Sequence, residues 1–333
     1  MGFLGFRWLV NFGLLALPIG ITLGILIGLE ANRTANGGPP LFSDPDTPKK
    51  NNGITAMVSC DKAMGLHPES KGQEYTLNPN QWGWTEGEDG ALCMNVTTFN
   101  NQTYATDYSA PEFWVTWRYP QGPATQPVHA FPNIKVDGTI LPIEISKLSQ
   151  IKVDVEWSYS VGNYTTDGAT ATNTDEAELL ENQTNTNVAI DMFLDDDKDS
   201  AKDSTKAEYE VMVWLATFGA ATQPIGYKAG AGALTTKSIN GTTFTLYAGQ
   251  NSLKQYVLTW VAPNTEHFVG DLTELVKQIT SLPASVTALA TDVKFPTSST
   301  YLGYMGLGSE ALSATKVVTF RVPTLTIDIK GSS

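Results

Sequence analysis

From Ile54 onward the chain repeats one texture, and that texture limits the folds open to it. Short runs rich in β-branched and aromatic residues alternate with turn residues: "FWVTWRY" (113–119), "IKVDVEWSY" (151–159), "NVAIDMFL" (187–194), "YEVMVWLA" (209–216), "TFTLYAG" (243–249), "KQYVLTWVA" (254–262) and "KVVTFRVPTLTIDI" (316–329). Such runs favour strands because stiff, branched side chains pack well on a pleated surface. One stretch departs from the pattern. "GDLTELVKQITSL" places Leu272, Leu275, Val276 and Ile279 at helical spacing. Asp271 with Glu274 resembles a capping box in which Asp replaces the usual Ser or Thr. Many strands with one short helix predict an all-β antiparallel sandwich, not a βαβ fold. The polar stretch from Thr165 to Thr184 reads as a long surface loop, and no internal repeat is evident.

Ahead of this region, Trp8 to Leu29 is an apolar run broken only by Asn11, Thr22, Pro18 and a few glycines. Its ~22 residues match the ~20 that span a bilayer and exceed a signal-peptide core of ~7–15. With no small-x-small cleavage site after it, residues 1–29 predict an uncleaved transmembrane signal anchor, a cleaved signal peptide being the alternative. Arg7 fits a cytosolic N-terminus. Residues 30–53, with "NGGPPLFSDPDTPKKNNG", are too dense in Gly, Pro, Asp and Asn for packed structure and read as a stalk. Residues 54–333 then form the folded domain.

With 21 Lys+Arg against 34 Asp+Glu the net charge is −13. Such a surface repels phosphate backbones, so nucleic acid is excluded as a partner. Six sequons, at Asn32, Asn95, Asn101, Asn163, Asn182 and Asn240, agree with the hydrophobic N-terminus. Together they place most of the chain in the secretory lumen or outside the cell, at the surface if the anchor is kept. Cys60 and Cys93 fit an oxidising compartment as one disulfide, worth about 3–4 kcal/mol in the chain-entropy model, or stand as two free thiols. His67, His129 and His267 show no zinc spacing. No metal or other cofactor is expected, and a monomer is the default.

Familiar motifs fail on inspection. "GAGALTTKS" (230–238) has Thr236 where a phosphate-binding loop needs glycine before Lys237. No G-x-S-x-G occurs. "DDDKDSAKD" (195–203) lacks the glycine and terminal Glu of a calcium loop. Carboxylates remain. In "AEYEVMVW" (207–214) strand alternation puts Tyr209, Val211, Val213 and Leu215 on one face, apolar enough for a core, and Glu208, Glu210, Met212 and Trp214 on the other. That second face suits either a solvated edge or a groove for an amphipathic ligand. Glu310, in "YMGLGSEALSA" (304–314), is a single acid in a mostly apolar segment, read either as a general acid raised by burial or as a loop-tip carboxylate.

Several stretches, in order, resemble glycoside hydrolase family 12. "YEVMVWLATFGAATQPIG" (209–226) is similar to its strand and turn bearing the nucleophile, and "NVAIDMFL" to the strand with an aspartate beside it. "VAPNTEHFVGDLTELVKQI" (261–279) resembles the segment entering the family's helix, and "LGSEAL" (307–312) stands where its acid/base lies. "NPNQWGW" (78–84) resembles its Asn-x-Trp-Gly element, bracketed by Cys60 and Cys93 as the family's disulfide brackets it. The resemblance covers roughly Val58 to Ile329.

The resemblance implies a jelly-roll of two stacked antiparallel sheets with an open cleft. It implies internal, retaining cleavage of β-1,4-glucosidic bonds in a β-glucan partner, xyloglucan slightly ahead of cellulose-like or mixed-linkage chains. Glu210 would be the nucleophile, Glu310 the acid/base, and Asp191 would hydrogen-bond Glu210. Asn80 and Trp82 would hold sugar on the non-reducing side, with Met212, Trp214 and Pro224 lining the cleft and Trp117 ambiguous between cleft and core. Retention implies carboxyls about 5–5.5 Å apart. The chain departs from the family at Ala311-Leu312, where Pro-Phe is usual, which removes an aromatic beside the leaving group. A non-catalytic carbohydrate-binding sandwich and a wall-glucan transglycosylase are the competing readings.

Overall fold

The computed structural model describes residues 49–51, 54–99, 104–164, 173–220, 222–227 and 232–332. The expected anchor, most of the stalk, and the sequons at Asn32 and Asn101 lie outside the described residues. Among the described residues no helix is long and apolar enough to cross a membrane. The chain divides into Met1–Ala56 and Met57–Ser333. In the first unit β1 (Lys49–Asn51) pairs antiparallel with the opening residues of β2 (Ile54–Ser59).

The second unit is a sandwich of two sheets. Its strands in order are β3 (Tyr75–Asn78), β4 (Ala91–Phe99), β5 (Glu112–Arg118), β6 (Asn133–Val136), β7 (Ile143–Glu144), β8 (Leu148–Val161), β9 (Asn185–Asp195) and β10 (Tyr209–Phe218). Then follow β11 (Thr235–Ile239), β12 (Thr242–Gln250), β13 (Tyr256–Val261), β14 (His267–Asp271), β15 (Tyr301–Gly308), β16 (Ala311–Ser313) and β17 (Val318–Gly331). One sheet runs β2-β4-β5-β17-β8-β14, the other β11-β12-β13-β10-β9-β15-β6-β3, with β16 on β9 and β7 on β15.

Alternation decides which side chains fill the space between the sheets. Tyr209, Val211, Val213 and Leu215 of β10 enter the main core, as do Ile151, Val153, Val155, Trp157 and Tyr159 of β8. Full burial of each aliphatic side chain stabilises by about 1.5–3 kcal/mol. On β17 the inward set changes parity, from Phe320 and Val322 to Leu325, Ile327 and Ile329. The register with β8 shifts there, between Arg321 and Thr324, around Pro323, which has no N–H for the ladder.

Three expectations need correction. The sheets are not wholly antiparallel: β10 and β13 run parallel, Tyr209 opposite Tyr256 and Trp214 opposite Val261. The chain leaves β10, makes the β11–β12 hairpin, and slots β13 antiparallel to β12 against the flank of β10. Second, the helix is not alone. The supposed loop 165–184 contains α1 (Glu176–Glu181), whose first turn Asp175 caps by accepting from Glu178 N–H at 3.0 Å. The expected helix is α2 (Thr273–Ile279), and a single turn, α3 (Ala284–Thr287), follows it. The apolar stripe of α2 is buried as its spacing predicts, with Leu272, Leu275, Val276 and Ile279 at most 1 % exposed. Third, Asp271 and Glu274 make no capping box. Asp271 closes β14 and accepts from the N–H of both Ile151 and Thr273, and Glu274 pairs with Lys237. Cys60 and Cys93 are joined, the pairing open in the sequence.

Candidate active site

The face of β10 turned from the core carries Glu210, Met212 and Trp214. The antiparallel register sets Phe193, Asp191 and Ala189 of β9 opposite them, so all six share that face. Phe131, Ala189, Met212, Trp214 and Val257 form a small apolar cluster distinct from the main core, with Ile225 packed against it. On the other flank of β9, Gly306 lies opposite Asp191 and Tyr304 opposite Phe193.

Three carboxyl groups meet here. Asp191 is 5 % exposed and its Oδ1 has no hydrogen-bond partner among the described residues. Burial, then the charges of Glu210 and Glu310, hold its proton affinity well above the ordinary aspartate range. Burial also pushes Glu210 up to about 7, against the Asn251 Nδ2 that donates to its Oε2 at 3.2 Å. Glu310 is likewise pushed up to about 7, by burial and then by the charge of Glu210, against a bond from Asn187. Asp191 Oδ1 therefore makes no hydrogen bond to Glu210, and the expected bond is missing at that atom. Carboxyls of such raised affinity can exist near neutral pH with one protonated and its neighbour ionised.

Two asparagines that the sequence reading passed over fix the two glutamates. Asn187, fully buried on β9, accepts the Glu310 N–H through Oδ1 at 2.8 Å and donates from Nδ2 to Glu310 Oε2. It lies four residues before Asp191, so strand alternation alone puts it on the same face, which was a readable signal. Asn251 follows β12 and is braced by Gln255, whose N–H it accepts at 3.0 Å. Nothing in sequence spacing marks it.

Glu310 is also held from beneath. Trp117 Nε1 donates to Tyr159 Oη at 2.6 Å, Tyr159 Oη meets Thr186 Oγ1 at 3.1 Å and Ser309 Oγ at 3.0 Å, and Thr186 Oγ1 donates to Glu310 O at 2.7 Å. This chain crosses the core from the β5/β8 sheet to the strand carrying the site. It also settles Trp117, which is 1 % exposed and part of the core, not the cleft. Its position on β5 alternates with Glu112-type outward residues, so its face is the inner one.

The remaining candidates lie in or beside strands of the same sheet. Asn80, at φ 46°, takes the left-handed backbone that asparagine tolerates, and its carbonyl accepts from Phe131 N–H at 3.0 Å. The turn presents Trp82 at 53 % exposure. Pro224 is buried beside Ile225. Ala311 and Leu312 are buried at 0 % and 4 %, with Ala311 bonded through its backbone to His129 and Ala130. Of the sequons, Asn163 and Asn240 are exposed and Asn95 is half-buried on β4. Asn182 is a correction: it is 3 % exposed, its Nδ2 donates to Thr184 and Lys316, and its Oδ1 accepts from Thr315 and Lys316. A glycan on that nitrogen has no room in the folded chain.

Comparison with known proteins agrees with this geometry. The sequence profile of glycosyl hydrolase family 12 matches residues 170–330. A probable xyloglucan-specific endo-β-1,4-glucanase A of Aspergillus clavatus is 32 % identical over 210 residues, spanning 62 % of this chain and 71 % of that protein. The xyloglucan-specific endo-β-1,4-glucanase A of Aspergillus niger is 29 % identical over 232 residues, 66 % of this chain and 80 % of that one. In fold, the chain is similar to Trichoderma harzianum endoglucanase 3 (TM-score 0.60, 20 % identity, 87 % of this chain and 100 % of that one). It is also similar to a Bacillus licheniformis family 12 xyloglucanase (TM-score 0.56, 16 % identity, 82 % and 100 % covered).

Proposed function

Because the chain belongs to glycosyl hydrolase family 12, we propose that Glu210 and Glu310 are the two carboxyls with which it cleaves a β-glucan, internally and with retention of configuration. At family level the activity is endoglucanase or xyloglucanase hydrolysis of β-1,4 bonds. One observation carries the assignment: two glutamates, each raised to about 7 and each tethered by an asparagine, share a face with a buried aspartate.

The roles follow from the charges. The Asn251 bond favours the ionised form of Glu210, and the charge of Glu210 is among the causes that keep a proton on Glu310. Glu210 therefore attacks the anomeric carbon, forming a glycosyl ester as the glycosidic C–O bond breaks. Glu310 gives its proton to the leaving oxygen. Glu310 then takes a proton from water, whose oxygen displaces Glu210 at the same carbon. Asp191, whose proton affinity is raised by burial and then by the charges of Glu210 and Glu310, shares the face with them. Asn80 and Trp82 hold sugar on the non-reducing side, while Met212, Trp214 and Pro224 line the face. Xyloglucan is the preferred substrate in this reading, supported by the names of the relatives. The disulfide and the family fit a secreted or extracellular protein.

The test is release of new reducing ends from xyloglucan and from mixed-linkage β-glucan by the full-length chain and by Glu210→Gln. Release by the wild type that vanishes in the variant is expected. Equal release by both would sink the role of Glu210, and none by a folded wild type would sink the activity.

A further inference from the structure

Among the described residues, the exposed large hydrophobic side chains include two aromatics, Trp82 and Tyr227, at 53 % and 48 % exposure. They lie toward opposite flanks of the sheet that carries the carboxyls. Trp82 follows β3, the strand at one edge, and its loop bonds to residues 129–131 ahead of β6. Tyr227 ends the turn Pro224–Tyr227, which lies on β12 near the other edge.

Two glycines seat that turn. Gly226 has φ 91° and a backbone so close to Ala248 that an added Cβ would stand 2.1 Å from its carbonyl oxygen. On β12, an added Cβ at Gly249 would stand 2.5 Å from Ile225 Cγ2. Gly249 pairs with Val257, and Val257 with Glu210, so the strap rests in the row of Glu210 itself. One residue pair along, Asp191, Met212, Thr259 and Tyr247 occupy successive strands of the neighbouring row. Tyr247 is thus three strand spacings, about 14 Å, from Asp191. Its ring meets that of Tyr227 with centroids 5.5 Å apart at 50°.

We propose that Tyr227 and Tyr247 form a second sugar platform, binding a glucosyl ring of the β-1,4-glucan on the leaving-group side of the scissile bond. The inference rests on the reading of Glu210 and Glu310 given above and on Trp82 holding the non-reducing side, as proposed there. An aromatic face stacks on the C–H face of a sugar ring, and a ring left half exposed on a functional face has its apolar surface available for that. The tilt of the pair braces the exposed ring with a half-buried one. With Trp82 holding the non-reducing portion, a strap at the opposite flank meets the portion that departs. The three strand spacings between Tyr247 and Asp191 fit a ring beyond the first after the cut, so a substrate ending at the first ring cannot reach the pair.

That difference supplies the test. The full-length wild type, Tyr227→Ala and Tyr227→Trp are compared on cellohexaose and on an aryl β-cellotrioside, whose aryl leaving group ends at the first position past the bond. Tyr227→Ala is expected to lose about 10-fold in kcat/KM on cellohexaose, chiefly through KM, and to stay within about 2-fold of wild type on the aryl glycoside. Tyr227→Trp should keep wild-type values on both, because it restores an aromatic face. Equal loss on both substrates, or no loss on cellohexaose, overturns the proposal. A folded wild type that cleaves neither overturns the reading of the carboxyls, and the platform with it.

Discussion

Asn187 grips Glu310 twice, its Oδ1 accepting the Glu310 N–H at 2.8 Å while its Nδ2 donates to Oε2. One buried amide therefore fixes both the backbone and the carboxyl of the residue that gives the proton. Its bond also favours the ionised form, opposing the burial that raises Glu310. Asn187→Ala should let Glu310 keep its proton to higher pH, so the alkaline limb of the kcat/KM profile moves upward. The lost positioning should lower kcat by about 10-fold or more. A pH–rate profile decides it: a limb unmoved or displaced to lower pH contradicts the role.

The same carboxyls tie stability to pH. Glu310, pushed up to about 7 when folded, starts from about 4.3 when unfolded. The folded chain thus binds the extra proton, and its stabilising effect is full below the unfolded value and lost as pH rises toward 7. Glu310→Gln removes this loss. Its Tm should match wild type near pH 4 and exceed it by about 6 °C at pH 8. Calorimetry at both pH values would refute this if the variant melts lower at pH 8.

Tyr159→Phe keeps the ring and deletes the hydroxyl that meets Trp117, Thr186 and Ser309. The buried Trp117 Nε1 then loses its acceptor, at a cost of about 1–3 kcal/mol. Urea titration should show that loss, and an unchanged midpoint would mean the hydroxyl contributes nothing.

Asn182 and Asn240 both read as sequons, yet only Asn240 is exposed. Glycopeptide mapping of the chain expressed through a secretory pathway should find Asn240 occupied and Asn182 bare. A glycan on Asn182 of an active, folded sample would contradict the burial of that amide.

Reduction of the Cys60–Cys93 bond, which spans 33 residues, should lower unfolding free energy by about 3–4 kcal/mol. Denaturant midpoints with and without reductant measure it, and coincident curves would speak against the bond.

What the sequence revealed depended on how local each signal was. Strand alternation located Glu210, Met212 and Trp214 on one face and their odd-numbered neighbours in the core, because period two is written in consecutive residues. The α2 stripe was readable for the same reason. Pairing direction is not local. Nothing within Tyr209–Phe218 or Tyr256–Val261 states that the two strands run parallel; that follows from where the intervening hairpin lands. Asn251 reaches Glu210 only through that same placement. Trp117 is ambiguous in the sequence because aromatic residues suit a core and a sugar face equally, and its burial between the sheets, with its bond to Tyr159, decides between them. The helix within 165–184 was hidden by a polar composition whose single buried anchor is Leu179.

Strand β17 lies between β5 and β8, pairing with both. Until residues 318–331 emerge during synthesis, those two neighbours each present a bare row of N–H and C=O groups to whatever else is nearby. Every part of the site up to Glu310 has by then been made, yet Tyr159 on β8 cannot be held in register beneath it. A nearly complete chain thus carries an open seam through the middle of one sheet, the kind of unpaired edge through which incomplete chains associate.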